Sequence, residues 1–220
     1  AIATVTLPYL SKQAASEAMD EFSQTVDWSM KLMVLISVPA AAALIVLPGP
    51  LVATIFYGGA FSAFDVEMAA LSLQAFAIGL IGFSFVKILA PAYFAREDTK
   101  TPVRIGLVAL AVNFGLSVVL TYVLTQIGFV GTHAGLALAI SVAAIVNAWL
   151  LYRGLIRDGI ISLSSGWLAF IGRITLATVI MVACVLFLDH PLDWWLEVAV
   201  WERVFRLGMI VSLGAIAYFV

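Results

Sequence analysis

Lys87 stands inside the apolar run IGFSFVKILAPAYFARED, residues 81–98, with Ser84 one turn before it and Pro91 one turn after it. An ammonium, a hydroxyl and a proline in that order can build one polar spot in a hydrophobic helix. Proline has no N–H, so the carbonyl of Lys87 loses its intrahelical partner and the helix is expected to bend there. Ser84 extends the spot on the same helical face. A freed carbonyl beside an ammonium suits a hydrated cavity and not lipid. Arg96 marks the nearest polar boundary, and the intervening residues put Lys87 about 13 Å deeper at 1.5 Å per residue. At that depth a cation either faces a bundle interior or snorkels along its own stem to the headgroups. Both readings of Lys87 stand on sequence, and Pro91 is equally readable as a plain kink.

Asn113 and Ser117 lie one turn apart in another apolar run and could offer oxygen ligands to a cation. The simpler role for both, and for Asn147, is hydrogen bonding between helices. Gly79 and Gly82 form a strip where a second helix can approach closely. No metal site is expected: His133 and His190 are far apart without ligand spacing, and Cys184 is the only cysteine. Enzyme chemistry has no support either, because no nucleophile neighbours a base and no carboxylates pair within an apolar run. Asp189, Asp193 and Glu197 alternate with Trp and Pro and read as a solvated loop. No cofactor is implied.

The elements that must carry these residues follow from composition. The chain is 64% hydrophobic and 11% charged, with a mean hydropathy of +1.12, more apolar surface than a soluble domain of 220 residues can hide. A net charge of -2 gives no reason to expect nucleic acid. A bilayer core about 30 Å thick needs roughly 20 apolar residues of helix. Complete spans are predicted over 32–56, 68–95, 103–125, 134–152 and about 168–188. A further span starts near 203, and residues 1–10 read as the stub of an earlier one. Both ends look like cuts through hydrophobic segments. Strand-like alternation is absent, so the fold class is all-α, a polytopic transmembrane helical bundle.

Loop charges sort by side. Lys12, Lys31, Arg96, Lys100, Arg104, Arg153, Arg157 and Arg173 fall on one face, and only Arg203 and Arg206 on the other. The positive-inside rule makes the first face cytoplasmic and the loops 57–67 and 125–133 external. Residues 11–31 then form an interfacial segment leading into the first span. Trp167, Trp194, Trp195 and Trp201 flank span ends as interfacial anchors.

The segment FVKILAPAYFAREDTKTPVRI at 85–105, the loop IFYGGAFSAFD at 55–65 and ATVTLP at 3–8 together resemble the lipid II flippase family known as MurJ or MviN. The resemblance covers the whole chain and about the second half of a fourteen-helix transporter. It implies one lobe plus two additional helices: residues 1–153 would hold the end of helix eight and helices nine to twelve, and residues 154–220 helices thirteen and most of fourteen. The implied activity is translocation of lipid II, the undecaprenyl-pyrophosphate-linked peptidoglycan precursor, from the cytoplasmic to the periplasmic leaflet by alternating access. The implied setting is the bacterial inner membrane, among membrane lipids and beside the amino-terminal half of the same transporter.

By the same resemblance Lys87, with Ser84 and Pro91, would line a cationic cavity and contribute to phosphate binding, while the family's essential arginines lie outside this chain. Some relatives hold sodium with an asparagine and a carboxylate. Asn113 matches the asparagine, but Ser117 stands where the carboxylate would be. Other readings left open are an exporter of another polyprenyl-linked oligosaccharide or drug, and a polytopic enzyme acting on polyprenyl phosphates.

Overall fold

The computed structural model describes Leu10, residues 19–162 and residues 164–220. The expected stub at 1–10 and the start of the interfacial segment thus lie almost wholly outside the described residues. Eight helices run through the rest: α1 Met19–Val46, α2 Pro48–Phe56, α3 Ala63–Phe94, α4 Lys100–Gln126, α5 His133–Arg157, α6 Trp167–Leu188, α7 Leu192–Glu197 and α8 Val200–Phe219. Of these, α1, α3, α4, α5 and α6 are long and apolar enough to cross a membrane. The all-α, multi-pass expectation therefore holds.

The span expected over 32–56 is instead two helices. Leu47 leaves the helical region, with ψ at 34°, because the residue before a proline is disfavoured there, and Pro48 then opens α2. The segment before residue 32 is not a separate interfacial helix from Met19 onward, being continuous with α1 and burying Phe22, Val26 and Met30. α3 begins at a capping box: Asp65 N–H donates to Ser62 Oγ at 3.3 Å, and Ser62 N–H donates to Asp65 Oδ2 at 2.8 Å. Its helix runs on through Pro91 to Phe94.

α3 is the central element. α5 packs along it most extensively, α1 also packs against it, and α4 leans on α5 while scarcely touching α3. The glycines explain the close α3–α5 approach. A Cβ on Gly79 would lie 2.6 Å from Ser141 Cα, and one on Gly82 2.7 Å from the Ile145 nitrogen. Ser141 Oγ donates to the Ala75 carbonyl at 2.6 Å across the same seam. Nearer the basic end, Tyr93 donates its hydroxyl to the Leu151 carbonyl at 2.9 Å, in space that a side chain at position 154 would fill.

Two buried clusters result. One joins Phe22 and Met30 of α1 to Ile88, Leu89 and Tyr93 of α3 and Leu151 and Leu155 of α5. The other joins Leu47 and Val52 to Met181 and Val185 of α6, Trp195 of α7 and Ile210 of α8. The last two long helices are thus seated on α1 and α2. On α4 only Pro102 and Ala109 are buried among the described residues.

Candidate functional site

Lys87 lines a cleft of about 400 Å³ between α3, α4 and α5. Asn113 enters it from α4 and Asn147 from α5, with Gly106, Ala109 and Ala143 among the small residues that leave it open. The Oδ1 atoms of Asn113 and Asn147 are both buried and have no hydrogen-bond partner among the described residues. Lys87 is exposed in this bundle and has no ion pair among the described residues. A donor-rich ammonium and two unsatisfied amide oxygens therefore share one cleft in otherwise apolar helices. Such a cleft can accept a ligand that offers oxygen acceptors to the lysine.

The cleft does not suit a metal ion. Among the described residues it offers amide oxygens but no carboxylate, and the lysine already supplies a cation. Asn113 and Ser117 lie one turn apart on α4; Asn113 lines this cleft, whereas Ser117 lines the next groove along, with Phe114, Thr121, Thr125 and Gln126. Ser84 is half-buried, lies outside the cleft lining and has no hydrogen-bond partner among the described residues. Pro91 is likewise outside the lining, one turn toward the basic end.

Asn147 is the residue that sequence reasoning left out of the site. Its signal was present, an amide in the apolar run AISVAAIVNAWLL, but nothing local says that it converges with Lys87. The convergence needs α5 to be laid on α3 by Gly79 and Gly82.

The opposite side of α3 has the reverse character. Ile78, Ile81, Gly82, Phe85 and Leu89 recur at three- and four-residue spacing and line an apolar groove of about 500 Å³ with α1, α5 and α6. At 3.6 residues per turn Lys87 points about 180° away from Ile78. α3 thus separates a polar cleft from an apolar groove.

Polar clasps fix the surrounding helices. Asp27, buried on α1, accepts from Trp167 Nε1 at 2.6 Å, Ser164 Oγ at 2.7 Å and Lys31 Nζ at 3.0 Å, tying the start of α6 to α1. At the other end Arg203 is buried and donates to the carbonyls of Ala53, Tyr57 and Leu196. Arg206 reaches the Leu188 carbonyl and His190 Nε2, while His133 Nε2 meets the Met68 carbonyl at 2.9 Å. Trp195 is not an interfacial anchor: it is fully buried and donates Nε1 to Asp189 Oδ1 at 3.0 Å, so the acidic loop is partly internal. Trp201 keeps the expected exposure. In the 95–99 turn, hydrogen bonds from Thr101 foremost, then from the Lys100 N–H, hold the Asp98 carboxyl below its usual range and secure the start of α4.

Residues 1–205 match the protein family described as Lipid II flippase MurJ. A probable lipid II flippase MurJ of Haemophilus influenzae is 38% identical over 225 residues, covering 99% of this chain and 42% of the relative. A probable lipid II flippase MurJ of Vibrio cholerae is 36% identical over 218 residues, covering 99% of this chain and 40% of the relative. The lipid II flippase MurJ of Burkholderia cenocepacia is 36% identical over 220 residues, covering 100% of this chain and 41% of the relative. A solved structure of lipid II flippase MurJ in an inward closed conformation shares the fold, with a TM-score of 0.75 at 21% identity, over 100% of this chain and 41% of that one. The chain spans about two-fifths of the length of these relatives. With its sequence and helical architecture both matching, this chain belongs to the lipid II flippase MurJ family.

Proposed function

We propose that the chain works in moving lipid II from the cytoplasmic to the periplasmic leaflet of the bacterial inner membrane, as a carrier with no covalent step. The observation that carries the reading is the cleft shared by Lys87, Asn113 and Asn147 in a chain of this family. A lysine ammonium with no ion pair of its own among the described residues is a strong partner for a phosphate oxygen, and the two asparagines bring amides to the same cleft for a sugar-peptide headgroup. Cleft and groove lie on opposite sides of one helix, so the polar side is the one turned toward a translocation path. Residues 1–153 belong to one lobe and 154–220 to two added helices, and the partner that completes the path is the amino-terminal half. Alternating access needs two bodies rocking about a site between them.

The test joins this chain to an amino-terminal half of the family in a bacterium depleted of its own flippase. Lys87→Ala is expected to slow growth and lipid II translocation more than Lys87→Arg, which keeps the charge. Equal rescue by Lys87→Ala and the unaltered chain would overturn the role of the cleft. Expressed without the amino-terminal half, the chain is expected to give no rescue, and rescue by it alone would overturn the two-body reading.

A further inference from the structure

We infer that the apolar groove on the far side of α3 is a docking site for an acyl chain of an anionic glycerophospholipid, with the headgroup held at the basic end of the bundle. Its lining runs from Ile78 to Leu89 along α3, about 16 Å at 1.5 Å per residue. It begins about 10 Å below the level of Arg96, so it takes the distal part of a chain whose headgroup stays at the basic end. α1, α5 and α6 complete the walls through Met30, Ile145, Ala148 and Ile171, so a chain lying there buries its methylenes against apolar side chains.

Charge decides the occupant. Two tryptophans, Trp149 and Trp167, stand in the groove wall, and each carries a cation. The Arg153 guanidinium carbon is 5.2 Å from the Trp149 ring centre, and Lys31 Nζ is 5.5 Å from that of Trp167. Lys31 is held there by Asp27, whereas Arg153 is exposed and has no carboxylate partner among the described residues. An aromatic rim topped by an uncompensated guanidinium is complementary to a phosphate diester at headgroup level. The groove faces away from the Lys87 cleft, so this lipid is a resident of the bilayer and not the transported molecule. The inference does not depend on the transport reading.

A photoreactive benzoylphenylalanine at Ile81, inside the groove, and another at Leu168, an exposed residue beside its mouth, report the neighbours of each position in bacterial membranes. After irradiation, adducts are identified by mass spectrometry. The Ile81 probe is expected to capture phosphatidylglycerol or cardiolipin out of proportion to phosphatidylethanolamine, and the Leu168 probe to follow bulk composition. Arg153→Gln is expected to lower the anionic excess at Ile81 about fivefold, the effect of one basic residue at a membrane surface. Ile145→Trp, which fills the groove from a partly exposed position, should abolish the adduct while the protein stays folded by gel filtration. Bulk lipid proportions at Ile81, a polyprenyl adduct there, or an anionic excess unchanged by Arg153→Gln would each overturn the proposal.

Discussion

Asn113 on α4 and Asn147 on α5 face one cleft with Lys87, each with a buried Oδ1 that no described residue satisfies. Buried amide oxygens without partners are costly, by about 1–3 kcal/mol each, so a site that keeps two has a ligand or a neighbouring surface to satisfy them. Asn147→Leu, which removes the orphan and nearly preserves volume, is expected to leave the fold as stable or more so. Translocation by the protein joined to its amino-terminal half should fall several-fold. Unimpaired translocation would show that the amide serves packing alone.

The α3–α5 seam depends on the absence of a side chain at Gly79. An alanine there places its Cβ 2.6 Å from the backbone of Ser141, so the helices must separate, at a cost of roughly 1–3 kcal/mol. Gly172 has open space around it, and alanine at that position should be neutral. Thermal unfolding of the two variants in detergent separates these outcomes; equal melting would mean that the seam yields without cost.

Arg203 is expected to behave as a pin between α8 and α2. Its guanidinium stacks on Tyr57 at 4.8 Å and serves three carbonyls that end nearby helices. Arg203→Ala strands those carbonyls and empties a buried volume. A loss of about 3 kcal/mol is expected, which lowers the melting temperature by roughly 6–12 °C in a chain of this size. Arg203→Lys should recover only part, because an ammonium cannot span three acceptors held in a fork. Full recovery by lysine would reduce the role of Arg203 to charge.

Orientation is open to direct measurement. Cysteines at Ala60 and Val130, both exposed in the turns between the long helices, are placed in a Cys184→Ala background. Each is expected to react with an impermeant thiol reagent added outside spheroplasts, as the loop charges require. Labelling only after lysis would invert the topology.

Sequence alone determined that the chain is a bundle of membrane helices, and located most of them to within about five residues, because burial in lipid demands long apolar runs whose ends are marked by charge; the polar first turns of α1 and its break at Leu47 were not legible that way. It singled out Lys87 and the Gly79–Gly82 strip for the same reason, since each breaks an otherwise uniform run. The tertiary structure decided which polar residues meet. Asn113 joined Lys87 and Asn147 in one cleft, and Trp195 turned inward to Asp189. It also decided that Ile78 and Lys87, members of one hydrophobic segment, serve opposite surfaces. A membrane helix is apolar all round, so its pattern does not say which face meets which neighbour. That choice falls to close packing at glycines and to a few polar clasps, and both exist only once distant segments are side by side.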